Sequence, residues 1–457
     1  MAGMGVTRRL AALAMACAVC GIALARVAQA QGPDDLARLR AEVSRLFGQG
    51  KYADAIPIAQ RYFELARQRH GEDHPEFVTA ITALAAGYRA QGRLAEAEPL
   101  YRRGLAIVTK ARGPDHPDVA QLLNDLAGLY QDQGRLAEAE PLYKRSLVIR
   151  EMALGPEHIS VGASLNNLAN LYQAQGRLAE AEPLYRRDLA IIRKAQGNDH
   201  PAEGALLANL AALYRAQGRL AEAEPLLRRS LTLIEKAIGA EHPQVATLLN
   251  SLAGLYQDQG RLAEAEPLFR RGLAIAEKAL GAQHPTVGTS LNWLAGLYLA
   301  QGRFAESEPL YLRSLAIAEK ALGPEHPGVS LALNNLAELY RNQARYAEAE
   351  PLYRRSLAIH EKTLGPDHGN VALSLNNLAL LHRNQGRLGE AGPLFRRSLA
   401  IRERALGPDH PIVAAVLNNL AGLSLAQRDW GRAADYWRLA TGVIERRAER
   451  GLAGATE

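Results

Sequence analysis

The sequence predicts an all-α fold: one elongated solenoid of about ten stacked helix pairs. Three observations carry this. The string Gln-Gly-Arg-Leu-Ala-Glu-Ala-Glu-Pro-Leu begins at Gln91, Gln133, Gln175, Gln217 and Gln259 without change, a step of 42 residues. Variants begin at Gln301, Gln343 and Gln385, and a looser one at Gln49. A second marker keeps the step: His74, His116, His158, His200, His242, His284, His326, His368 and His410. Between the markers, apolar residues recur at three- and four-residue intervals, the period of a helix with one buried face. Such regular self-similarity means a repeat architecture, in which each unit buries its apolar face only against its neighbours.

Ahead of the array, Arg8 and Arg9 precede an apolar run from Leu10 to Ala25, and Ala28-Gln29-Ala30 follows. This is the layout of a secretory signal peptide over residues 1–30, with cleavage expected after Ala30. The run is shorter than the ~20 residues a spanning helix needs. The mature chain would be periplasmic or secreted, with no integral membrane span. An uncleaved anchor is the competing interpretation. Cleavage would remove both cysteines, Cys17 and Cys20, and with them any thiol chemistry. It would also remove Arg8, Arg9 and Arg26 and no acid, lowering the net charge from +6 to +3.

Within a unit, Leu122, Leu123, Leu126, Leu129 and Tyr130 form the apolar stripe of a first helix, A. Leu136, Ala139, Leu142, Tyr143, Leu147 and Ile149 do so for a second, B. Gln133-Gly134 is the turn between them, and Gly155 stands where a helix C-cap needs positive φ. An acid-His-Pro step such as Asp115-His116-Pro117 opens the next unit, with proline where its missing N–H costs nothing. Nine prolines, Pro99 and Pro141 among them, fall early in helix B. An interior proline costs ~3 kcal/mol. Helix B is therefore expected to start three or four residues earlier, or to bend there.

The spacing of Ala127, Tyr130, Gly134, Ala139 and Tyr143 resembles the tetratricopeptide repeat. With its Leu-Asn-Asn-Leu-Ala and Gly-Pro-Asp-His-Pro strings, this 42-residue version is similar to the class in kinesin light chains and many bacterial repeat proteins. The resemblance covers Asp34 to Glu445 and implies a right-handed superhelical solenoid of about ten tetratricopeptide-like helix pairs. The domain organisation expected is 1–30 signal peptide, 31–445 solenoid and 446–457 frayed tail. The divergent first and last pairs are read as end caps. A motor role is excluded, because the light chains' coiled-coil segment is missing.

Catalysis finds no footing. Histidines one repeat apart, roughly 10 Å for packed helix pairs, form a ladder and cannot converge as zinc ligands must. They read as residues closing the helix junction. No Walker loop, dinucleotide fingerprint or His-Glu-x-x-His occurs, so no cofactor or metal is expected. The tyrosine ladder from Tyr88 to Tyr340 reads as core. The Arg-Arg pairs hint at nucleic acid, but Glu98, Glu182, Glu224, Glu266 and Glu350 each precede the first Arg of a pair by four residues. That is the favourable helical order, and it reads as a balanced outer face.

The informative column is asparagine on helix A: Asn124, Asn166, Asn250, Asn292, Asn334, Asn376 and Asn418. Asparagine is a mediocre helix former, and its amide can bond either an extended peptide or a neighbouring helix. The resemblance implies that this position faces a concave groove. Further along the same face, Arg341, Asn342, Arg383 and Asn384 make the C-terminal half polar and basic. An acidic peptide or a C-terminal carboxylate fits there. The expected role is an exported scaffold that is no enzyme and binds extended or C-terminal segments of protein partners, not nucleic acid. Two alternatives remain: a self-associating, envelope-organising rod, or a cytosolic signalling adaptor if the leader is retained.

Overall fold

A computed structural model describes residues 34–453 and is helical throughout. The expected leader and its cleavage point lie outside the described residues. The helices pair in chain order: α1 (Asp34–Gly48) with α2 (Tyr52–His70), α3 (Pro75–Ala90) with α4 (Leu94–Arg112), α5 (Pro117–Asp132) with α6 (Leu136–Leu154), and α7 (Ile159–Ala174) with α8 (Leu178–Gln196). Then come α9 (Pro201–Ala216) with α10 (Leu220–Ile238), α11 (Pro243–Asp258) with α12 (Leu262–Leu280), and α13 (Pro285–Ala300) with α14 (Phe304–Leu322). The last are α15 (Pro327–Asn342) with α16 (Tyr346–Leu364), α17 (Gly369–Asn384) with α18 (Leu388–Leu406), and α19 (Pro411–Ala426) with α20 (Trp430–Ala453). Among the described residues these make ten pairs in a right-handed solenoid without a sheet. Glu445, where the array was expected to end, lies inside α20.

The punctuation is local chemistry. Each ladder histidine is the N-cap of the following helix A: in α5 the His116 Nδ1 accepts the Asp118 N–H at 3.1 Å. A helix start leaves its first N–H groups without intrahelical partners, and a ring nitrogen serves one of them. Gly155 caps α6 at φ 88°. The prolines behave differently from expectation. Helix B starts five residues before its proline, not three or four, and continues through it: α4 opens at Leu94 and holds Pro99 inside. The proline deprives the Ala95 carbonyl of its donor, but Ala95 is exposed, within reach of water.

One arginine per turn staples successive units. Arg135 stacks 4.0 Å over the Tyr130 ring and bonds Glu138 of its own helix at 2.6 Å. Its other nitrogen reaches Glu98 of the preceding unit at 2.9 Å. Arg177, Arg219, Arg261, Arg303 and Arg345 repeat the stack on Tyr172, Tyr214, Tyr256, Tyr298 and Tyr340. Glu98 also takes Arg102 at 2.7 Å, so the outer-face pairs form as the spacing requires.

The superhelix closes on itself after six units. Gly50, Gly92, Gly134 and Gly176, in the turns of the first four pairs, face His284, Pro327 with His326, His368 and His410 of the last four. The His326 Nδ1 accepts the Gly328 N–H at 2.9 Å, which puts the ring proton on Nε2. That Nε2 donates to the Ala90 carbonyl at 3.1 Å, one superhelical turn away. Only glycine leaves room: a Cβ on Gly134 would lie 2.7 Å from the His368 ring, and one on Gly92 2.7 Å from Pro327. Replacing both glycines by alanine is expected to open this seam and raise the radius of gyration in solution scattering. Gly218→Ala with Gly260→Ala is the control: those glycines have the same positive φ but nothing within 4 Å. Equal expansion by both pairs would mean that turn strain, not the seam, is responsible.

Candidate functional site

Successive A helices lie against one another and form the inner wall of the superhelix. A hollow of ≈ 480 Å³ on this wall is lined by Arg89, Asp132, Asn167, Asn170, Gln173 and Asn209, among others. A second, of ≈ 780 Å³, spans α13 to α15 and includes Asn292, Trp293, Leu331, Asn335, Glu338 and Asn342. Trp293 is 41% exposed there and Leu331 57%. Among the described residues no group of three or more potential metal ligands converges.

The asparagine column sits mostly between units. Asn124, Asn166 and Asn376 accept the side-chain N–H groups of Asn167, Asn209 and Asn419, each in the next unit, at 2.8, 2.8 and 2.9 Å. Asn250 is buried and donates to Ser290 at 2.9 Å. Asn334 is likewise buried, Asn292 half-buried and Asn418 exposed. The Oδ1 atoms of Asn250, Asn292 and Asn334 have no hydrogen-bond partner among the described residues. Column residues thus tie neighbouring helices together, while Asn167, Asn209 and Asn335, each one position further on, line the hollows, as Trp293 does beside Asn292. Sequence reading missed Asn167, Asn209, Asn335 and Trp293. For Asn167 and Asn335 the signal was the second asparagine of an Asn-Asn doublet, 100° further round the helix; Asn209 and Trp293 hold the same position after Ala208 and Asn292.

The four arginines on this wall form a natural comparison. Arg89 pairs with Asp132, and Arg215 with Asp258, each carboxylate 43 residues ahead in the next A helix. Burial would lower the Arg89 pKa, but the hydrogen bond and charge of Asp132 more than reverse this. For Arg341 the position 43 residues ahead is Asn384, and for Arg383 it is Ala426. Among the described residues neither has an interunit carboxylate partner. Arg341 reaches Glu338 of its own helix at 3.4 Å and lies beside the Tyr353 hydroxyl, and its buried Nε has no hydrogen-bond partner among the described residues. Burial and then the neighbouring Arg341 charge pull the Arg383 pKa below its ordinary value. The structure therefore brings Arg341 and Arg383 together as two like charges lacking the acid that neutralises their counterparts. Two cations in a half-dry site favour an incoming carboxylate.

The tetratricopeptide-repeat family model matches in overlapping segments: residues 46–110, 76–152, 118–194, 160–236, 202–278, 244–292, 286–362, 329–391 and 370–442. No curated protein matches the chain. Among solved structures, a Podosopora anserina protein named for kinesin light chain, with nearly identical repeats of this type, is 29% identical. That match covers 46% of this chain and 99% of that one, with a TM-score of 0.39. A substituted form of it is 33% identical over 45% of this chain and 97% of that one, TM-score 0.39. A Rap protein complexed with competence and sporulation factor is 14% identical over 91% of this chain and 99% of that one, TM-score 0.50, a likeness of fold alone. The chain belongs to the tetratricopeptide-repeat family and has the α-solenoid form of a protein–protein interaction scaffold.

Proposed function

We propose that the protein is an exported scaffold whose inner wall holds an extended, acidic protein segment or a C-terminal carboxylate in the C-terminal half of the array. The observation that carries this is the Arg341–Arg383 pair, which lacks the interunit acid that Arg89 and Arg215 have. Asn342 beside it, with Trp293 and Leu331 on the adjoining floor, supplies amide and apolar contact for a peptide backbone and its side chains. Export is supported by Arg8, Arg9, the apolar run and Ala28-Gln29-Ala30. Among the described residues no helix is long and apolar enough to cross a membrane.

A glutamate-rich peptide with a free C-terminus is expected to bind with micromolar affinity, about −8 kcal/mol, and to weaken as salt rises. Arg341→Ser with Arg383→Ser should weaken it by about tenfold or more. Arg89→Ser with Arg215→Ser should change little, because those arginines are already neutralised. Fluorescence anisotropy reads both. Equal effects of the two pairs, or equal binding of a lysine-rich peptide, would sink the reading. The mass of the purified chain from its native host tests cleavage after Ala30.

A further inference from the structure

We infer that the seam between superhelical turns is an acid-operated clasp: protonation of His326 and His368 opens the superhelix while its helices stay folded. Each ring performs two tasks at once. Its Nδ1 accepts the backbone N–H two residues on, from Gly328 at 2.9 Å and from Asn370 at 3.0 Å. Nδ1 therefore carries no proton, and the single ring proton sits on Nε2. Across the seam, the His326 Nε2 donates to the Ala90 carbonyl at 3.1 Å. The His368 ring lies against Gly134 and the Asp132 carbonyl in the same way. Ion pairs among the described residues reach no further than the neighbouring unit, as Arg89 to Asp132 does. Rings, prolines and glycine turns carry the seam.

Protonation makes the two tasks incompatible. An imidazolium carries a proton on both nitrogens, so Nδ1–H would meet the Gly328 or Asn370 N–H, donor against donor. The ring must turn away from its cap, and turning takes Nε2 off the carbonyl across the seam. Charge acts in the same direction. Arg93 and Arg135 directly follow the facing glycines, and Arg402 adds a positive charge beside His368. His360, also near His368, becomes a further like charge once protonated. The acids around the rings are already engaged: Glu325 with Lys362, Asp367 with Arg404 and Asp132 with Arg89. Glu96 and Glu138 hold Arg93 and Arg135. Burial lowers the pKa of both rings, and the opposing pull of the Ala90 and Asp132 carbonyls does not reverse it. The closed form therefore has full support above 6.5 and loses it as pH falls. A hollow of ≈ 460 Å³ beside His368, lined by Gln133, Arg135 and Asp367 among others, lets water reach the ring. None of this depends on what the inner wall binds.

Small-angle scattering of the full chain between about pH 8 and about pH 4.5 tests the clasp. A reversible rise in radius of gyration below pH 6.5 is expected, with the helical circular dichroism unchanged. The response should be steeper than one titrating group gives, because the open form binds at least two more protons. His326→Asn with His368→Asn keeps a capping side chain but removes both rings. It should be expanded at pH 8 and lose the response to acid. His158→Asn with His242→Asn is the control. Those caps are exposed, no turn glycine lies against them, and the response should remain. Gly92→Ala with Gly134→Ala leaves every histidine in place and should also be open at pH 8, which covers a poorly folded asparagine variant. The inference is overturned by a radius that does not change with pH, by one already expanded at pH 8, or by loss of helix alongside the rise. A response that survives His326→Asn with His368→Asn overturns it too. So does equal loss in both asparagine pairs, since cap strength alone would then be the cause.

Discussion

Asp188→Ser is expected to stabilise the array by about 3 kcal/mol at pH 8. At the matching place in other B helices a serine donates to a carbonyl 26 residues earlier. Ser146 bonds Ala120 at 2.7 Å, Ser230 bonds Gly204 at 2.6 Å, and Ser314 bonds Gly288 at 2.8 Å. Asp188 is buried in that slot, with an oxygen where a Cβ on Gly162 would be. A carboxylate cannot donate to a carbonyl. Burial raises the Asp188 pKa from 3.8 to about 6. A folded value above the unfolded one favours folding at low pH, and that contribution is lost as pH rises from about 4 through about 6. Denaturant titrations at pH 5 and pH 8 should show the serine variant gaining most at pH 8. A gain independent of pH would mean that the carboxyl charge is not the cause.

His360→Ile is expected to remove about 3 kcal/mol of acid sensitivity between pH 7 and pH 4. His360 of α16 is buried, its Nδ1 2.9 Å from the Ser374 hydroxyl of the next unit. Matching positions hold the buried Ile192 and Ile234, so isoleucine has a proven fit. Burial, and then the nearby His368, lower the His360 pKa from 6.5 to about 4. Here the sign is reversed. A depressed folded value contributes fully above the unfolded pKa, and the contribution fades as pH falls from 6.5 towards about 4. The cap histidines His284, His326 and His368 are lowered in the same direction by burial, so part of the acid limb should persist. Hydrogen exchange at pH 4.5 and pH 7 should localise the change to α16 and α17. An unchanged acid limb in the variant would assign the sensitivity to the caps.

The repeat, the helix pairs and their capping residues were legible because each rests on contacts within a few residues. The nine histidines took the junction role expected of them, and Gly155 the positive φ. The asparagine column was visible, but not its orientation. Asn124 and Asn167 meet across units at 2.8 Å, while the outward position falls one residue later. The proline offset in helix B was short by a residue because propensity does not say how much exposed carbonyl the first turns can give to water. Arg341 and Arg383 were singled out, but not their contrast with Arg89 and Arg215, which needs the pairing 43 residues ahead.

Sequence alone determined the fold class, the 42-residue unit, its helices and the absence of a recognisable catalytic motif, since periodicity and local caps are short-range properties. Tertiary structure alone decided which carboxylates neutralise which arginines, and that Gly134 meets His368 across a superhelical turn. The reason is physical. Every unit adds the same small rotation, and only their sum over six units brings distant edges into contact.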